Sequence, residues 1–377
     1  MNARAKTWRW LGVAVISALL GLANGAVATA AGSAGGVNGA KRDALDQPSR
    51  QSERAKSAVL MAITVAGERL VAVGEGGIVL LSDDNGRSWR QAKAVPTSVA
   101  LTGVRFASAN TGWAVGHSGV VLKSSDGGET WVRQLDGKQA AAIELAAADA
   151  AAAGSAAMTR RQRDAQGLVA DGADKPFLDL HAFDDRHCFV VGAYGLAFGT
   201  RDGGQTWESM VGQIDNPKGR HLYSITATRD ALVIAGEQGT LLQSEDQGLR
   251  FAPVPIAYPG TLFGSVSTND GALVVFGLRG NAFRSADQGR TWNKVDFGLP
   301  VTLTAGMRLR DGRLAVVDET GRVLLSRDGG SKFAALDVAK MNAATGIAEA
   351  ADGALVVSTQ RGAVRIAPEA FRSEQKK

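Results

Sequence analysis

Few residues are placed to do chemistry. Glu75, Glu237 and Glu319 each follow an apolar run and stand one or two residues before a glycine, so three carboxylates fall at hairpin tips. Two carboxyl groups on one face at the right separation would form a glycoside-hydrolysing pair, and the fold sets that separation. The only tyrosines are Tyr194, Tyr223 and Tyr258, and none has a glutamate partner evident in the sequence. His117, His181, His187 and His221 lack the spacing of metal ligands, so no metal is expected. Cys188 opens an apolar strand and is expected to be buried. As the single cysteine, it excludes a disulfide or zinc-finger scaffold. No phosphate loop or dinucleotide fingerprint occurs, so no cofactor is expected.

The elements that must position these residues are announced by a repeat. Ser82 to Trp89 (SDDNGRSW) fits the pattern S-x-D-x-G-x-x-W. So do Ser124 to Trp131, Thr200 to Trp207 with Thr for Ser, and Ser285 to Trp292. Ser244 to Phe251 and Ser326 to Phe333 fit with Phe for Trp. The first residues are spaced 42, 76, 44, 41 and 41 apart, so the long interval is one repeat plus an insertion. Before each box come an apolar run, a two-residue tip with glycine and a second apolar run, as in Val233 to Gly239. This reads as strand, hairpin, strand, turn, strand. The 47 glycines suit such turns and argue against a helical bundle.

These are Asp boxes, and their role is structural. Asp84, Asp126, Asp202, Asp246, Asp287 and Asp328 are expected to accept backbone N–H groups within the turn. Trp89, Trp131, Trp207 and Trp292 are expected to pack between units. A seventh copy from Met341 has three strands and no box. Units of about 42 residues and four strands predict an all-β, seven-bladed β-propeller over 43–368. Its seventh blade would be completed by an N-terminal strand, Asp43 to Ser49. Such a closed ring has little edge to share and is expected to be a monomer.

The hairpin tips vary while the scaffold repeats, which makes their face the expected binding surface. It would present Glu75, His117, Tyr194, Glu237, Gln238, Arg279, Glu319 and Arg361. Tyr258, in the connection between blades 4 and 5, joins them, whereas Phe263 is read as inner-strand core. The Ala-rich insertion, 138–175, is expected on this face as a helical flap over the central channel or as a surface loop, with Gly154-Ser155 interrupting any helix.

Asp boxes also occur in sialidases. That chemistry needs an arginine cluster and a tyrosine activated by glutamate. The first strand, Ser57 to Thr64, carries no arginine. A non-catalytic binding propeller is therefore expected, with a carbohydrate-binding or sialidase-like glycosidase propeller as the alternative.

Residues 1–30 read as a signal peptide: Arg4, Lys6 and Arg9, then an apolar stretch from Leu11 to Leu22, then Ala28-Thr29-Ala30. Cleavage near Ala30 would leave a flexible 31–42 segment and export the protein to the periplasm. It would also take the formal net charge from +5 to +2, which removes the electrostatic case for nucleic acid. Residues 369–377 read as a tail.

The repeat resembles the photosystem II stability/assembly factor family, most clearly at Gly192-Ala193-Tyr194-Gly195 with its box, at Gly236 to Gly239 and at Gly277-Leu278-Arg279-Gly280 with its box. The Ala-rich insertion places it nearer the non-photosynthetic bacterial branch. The resemblance implies a seven-bladed propeller that binds a membrane protein or complex and aids its assembly without catalysis. For the bacterial branch it implies a client such as a resistance-nodulation-division exporter. It also implies an arginine patch, to which Arg279 corresponds, with Arg361 as a further candidate.

Overall fold

The computed structural model describes residues 43–153 and 159–372. The expected leader, the 31–42 segment, Gly154-Ser155 and residues 373–377 lie outside them. Seven antiparallel sheets follow one another along the chain, six of four strands and the last of three. Blade 1 spans 60–91, blade 2 101–135, blade 3 177–209, blade 4 222–253, blade 5 262–295, blade 6 303–335 and blade 7 344–366. The inner strands lie side by side in a ring, and that of blade 7 (Ala344–Glu349) returns to that of blade 1 (Leu60–Ala66).

The second strand of each blade is buried almost throughout, as in Leu232–Gly236 and Leu314–Asp318. Covered on both faces by neighbouring blades, it needs a continuous apolar run rather than alternation. Seven hydrophobic clusters result, each shared by two adjacent blades. The box aromatics pack there as expected. Trp131 and Trp207 are buried, and Trp89 and Trp292 pack half-buried on their seams.

The boxes behave alike. The first hydroxyl, Ser82 in blade 1, donates to Asp84 at 2.8 Å and accepts the Gly86 N–H at 2.8 Å. The aspartate accepts the N–H two residues beyond the glycine in all six boxes. In the four tryptophan boxes that same residue is Ser88, Thr130, Thr206 or Thr291, and its hydroxyl donates to the second carboxylate oxygen at 2.6 Å. In the two phenylalanine boxes the position holds Arg250 or Lys332, so no hydroxyl is available there.

Ring closure differs from the expectation. Asp43 to Ser49 does not pair with blade 7. Ala44–Asp46 is a short 3-10 turn at the seam of blades 1 and 2, where Leu45 is buried and Arg133 holds the Leu45 carbonyl at 3.0 Å. The chain then follows the outer strand of blade 1, with Gln51 donating to Ala92 O. It reaches the blade 7/1 seam at Glu53–Ser57. The first described segment and the last therefore both brace the ring from outside, and no blade is shared among the described residues. Residues 369–372 are not a tail either. They form helix α3 (Glu369–Arg372), and its Phe371 is buried at the blade 6/7 seam, the one seam that no box aromatic fills.

The insertion is a helical hairpin, α1 (Gly137–Ala151) and α2 (Arg160–Asp171). Each helix starts with a capping box, Asp136 with Gln139 and Thr159 with Gln162. It is not a flap over the channel. Ala140, Ile143 and Leu168 pack into the blade 2/3 cluster. Arg161 grips the buried Glu144 with both arms at 2.7 and 2.9 Å, and Glu144 also accepts from Ser209 on the outer strand of blade 3. A strongly apolar seam and a buried carboxylate with three donors hold the hairpin to the ring's outer edge.

Candidate functional site

One bond repeats in every blade. The residue after the second strand donates its N–H to the carbonyl just ahead of the inner strand: Glu75 to Val59, His117 to Ala100, Ala193 to Pro176, Glu237 to His221, Leu278 to Thr261, Glu319 to Thr302 and Gln360 to Ala343. This places every hairpin tip beside a blade connection, on one face of the ring. Expected site residues on the tips therefore share that face, but only some are brought together.

Blades 3 to 5 hold the cluster. Tyr194 is 56% exposed, and its φ of 58° is a left-handed conformation that disfavours a bulky residue. Its N–H donates to Nδ1 of His221 at 2.8 Å. From Tyr194 a chain of edge-to-face rings runs through His221 (4.9 Å) and Tyr223 (6.2 Å) to Phe263 (5.1 Å). The Lys175 ammonium sits 4.9 Å from the Tyr194 ring centroid, steered by Asp171 and Asp174. Tyr258 packs on Phe283 and donates to Leu278 O beside the exposed Arg279. Arg220 holds the Gln238 carbonyl at 3.2 Å. The surface is aromatic with cations at its edges.

The carboxylates do not form a pair. Glu237 accepts the His221 N–H at 3.1 Å and Glu319 the Thr302 N–H at 2.7 Å, so both tie a tip to its connection. Glu75, on blade 1, is exposed. These three stand on non-adjacent blades. Burial, and then the nearby Glu237 charge, pushes the Tyr223 hydroxyl up to about 12, opposite to what an activated tyrosine needs. His117 is half-buried and its imidazole is held below its ordinary range by desolvation. It and Arg361 lie on blades 2 and 7, away from the aromatic cluster. Cys188 is buried as expected, and desolvation pushes its thiol up.

Sequence reasoning did not assign His221, Tyr223, Phe263, Lys175 and Arg220 to the site. Phe263, read as core, is half-buried with its ring against Tyr223. The available signal was positional, since Tyr223 and Phe263 are both the second residue of an inner strand, next to the tip face.

The pattern of the photosynthesis system II assembly factor YCF48 family matches residues 159–368. No curated protein matches the chain. A structure of YCF48 bound to D1 peptide is similar at 17% identity and TM-score 0.59, covering 83% of this chain and 94% of that one. YCF48 from Cyanidioschyzon merolae is similar at 14% identity and TM-score 0.58, covering 83% and 97%. A streptogramin B lyase is similar at 14% identity and TM-score 0.61, covering 82% and 93%. At these identities the neighbours speak for the ring alone, and a lyase among them shows that the ring also hosts enzymes. Because the match takes in more than half of the residues, the chain belongs to the photosynthesis system II assembly factor YCF48 family.

Proposed function

We propose that this chain is a non-catalytic, exported propeller that holds a segment of a membrane protein on the tips of blades 3 to 5 and aids its assembly or stability. The observation that carries the reading is Tyr194. An exposed aromatic ring is kept in a left-handed conformation at a tip position that blade 1 fills with Gly76, and Lys175 and His221 fix its orientation. Ser118, Gln238 and Arg279 take the same left-handed φ at their tips, so it is the exposed aromatic ring, not the backbone, that sets Tyr194 apart. Family membership and a relative bound to a D1 peptide supply the partner class. A photosystem subunit and an exporter of the resistance-nodulation-division type are both clients of that class. The commitment of Glu237 and Glu319 to backbone N–H groups weighs against the glycosidase alternative.

The test is crosslinking of tagged protein in cells, followed by mass spectrometry of the membrane fraction. One dominant membrane-protein partner is expected, lost in Tyr194→Gly and weakened in Arg279→Glu. Glycine relieves the left-handed strain, so Tyr194→Gly is expected to be as stable as the parent or more stable by roughly 0.5–1 kcal/mol. Lost binding would then not be lost folding. A membrane partner retained in Tyr194→Gly would overturn the assignment of the face, and absence of any membrane partner would overturn the function. Periplasmic residence is checked in the same cells by N-terminal sequencing, with a mature start near Ala30 expected.

A further inference from the structure

The opposite face, where the boxes lie, repeats another device. The fourth residue of a box has positive φ in all six copies, and in four of them its carbonyl accepts a hydrogen bond from the preceding blade. In four seams a basic side chain of that blade donates to it. Arg365 reaches Asn85 O at 3.0 Å, Arg69 reaches Gly127 O at 3.1 Å, Lys123 reaches Gly203 O at 2.9 Å and Arg284 reaches Gly329 O at 2.7 Å. At the blade 6/7 seam, which has no box, Arg313 instead reaches Phe371 O at 3.4 Å and lies over its ring. Two seams lack such a residue. Strand register places Gly199 in blade 3 and Gln243 in blade 4 where Lys123, Arg284 and Arg365 stand in theirs. A cavity of about 250 Å³ lies between blades 3 and 4 and one of about 320 Å³ between blades 4 and 5.

We infer that the groove between blades 3 and 4 is a binding site for a basic side chain, arginine or lysine, of a partner polypeptide. The occupied seam of blades 2 and 3 shows what fits. There Lys123 pairs across the strands with Trp113, with its ammonium 4.9 Å from the ring centroid, and donates to Gly203 O and Asp185 O. Between blades 3 and 4 the same lattice has an aromatic ring, Phe189, paired across the strands with a residue that has no side chain, Gly199. The matching box carbonyl belongs to Gln247. Glu208 pairs with Gly199 from the outer strand and is the carboxylate left for a guest cation, since Asp184 is held by His187 and Asp202 by Thr200 and Thr206 of its own box, while Arg201 is the opposing cation in the lining. Phe183, 38% exposed, gives the guest's methylenes an apolar wall. Carbonyl, ring and carboxylate together suit a cation on an aliphatic stem. The blade 4/5 groove fits less well, because Gln243 donates to Glu245 and Arg229 lines it.

The mature protein is titrated with N-acetyl-arginine amide and with its neutral citrulline counterpart, and backbone amide shifts are followed by NMR. Saturable shifts at Phe189, Gln247 and Gly248 are expected, with a dissociation constant on the order of a millimolar. Citrulline is expected to bind at least about tenfold more weakly. Gly199→Arg supplies the missing side chain from within. Space at this position is open, since a Cβ would meet Met210 Cγ at 3.6 Å, so the variant is expected to fold with an unchanged or raised melting temperature and to lose binding. Glu208→Gln is expected to weaken binding several-fold, which keeps the test open should Gly199→Arg fold poorly. Tyr194→Gly, on the opposite face, is expected to bind as the parent does, which separates this site from the tip face. Equal binding of citrulline, shifts elsewhere, unchanged binding in a folded Gly199→Arg protein, or no saturable shift would each overturn the proposal.

Discussion

At the scale of single residues, each box is a carboxylate surrounded by donors. The Ser88 hydroxyl and then its N–H hold the Asp84 carboxyl at about 2, and Thr291 does the same for Asp287, also at about 2. Asp126, Asp202, Asp246 and Asp328 are lowered as well; in Asp126 burial pushes upward but the Thr130 donors outweigh it. A carboxyl lowered on folding stabilises the fold fully above its ordinary value of 3.8 and loses that contribution as pH falls toward 2. Cooperative acid unfolding is therefore expected in that window, followed by circular dichroism. Thr291→Val removes the strongest donor to Asp287 and is expected to move the midpoint to higher pH. An unmoved midpoint would mean that the box hydroxyls do not govern acid stability.

At the scale of elements, the aromatic plug of each seam comes from the box that follows it, and the blade 6/7 seam takes its plug from α3. Phe371 is 2% exposed, and Arg313 lies over its ring. Phe371→Ala is expected to cost about 3–5 kcal/mol in denaturant unfolding, a full aromatic deletion from a packed site. Hydrogen exchange should rise first in blades 6 and 7. A loss under about 1 kcal/mol would demote α3 to a surface turn. The tail expectation failed because four residues carry too little periodicity to declare a helix, while one buried phenylalanine suffices to anchor it.

At the scale of the whole molecule, the ring closes by contacts alone. Thr345 donates to Leu60 O at 2.8 Å, while Asp352 binds Arg87 at 3.0 Å and Arg365 at 2.6 Å. Thr102 and Thr304 make the same inner-strand bond at other seams, to Phe177 O at 2.7 Å and Ala344 O at 2.9 Å. Closure thus uses a bond found elsewhere in the ring rather than a shared blade. Thr345→Val is expected to lower stability by about 0.5–1.5 kcal/mol, the worth of one such bond. Thr102→Val should match it within error. A much larger loss at Thr345 would show that the closing seam is the weak one and carries the fold's cooperativity.

Much of this was legible in the sequence because blade signals are local. A hydroxyl, an aspartate, a glycine and an aromatic within eight residues define a box, and two apolar runs around a glycine tip define a hairpin. Six copies left the seven-bladed ring as the consistent architecture. Choices made across seams were not legible. Nothing local distinguishes Asp43 to Ser49 as a brace on blade 1 from a strand on blade 7, since both bury Leu45. The hairpin of α1 and α2 could be read as helical but not docked, because Glu144 finds Arg161 and Ser209 only when blade 3 is in place. Tyr194, His221, Tyr223 and Phe263 are spread over 70 positions and meet only because ring curvature sets three blade openings side by side. Gly199 likewise looks like one more glycine in a glycine-rich chain. Only the register against Lys123, Arg284 and Arg365 turns it into a missing side chain, because a vacancy is defined by neighbours that tertiary structure alone brings within reach.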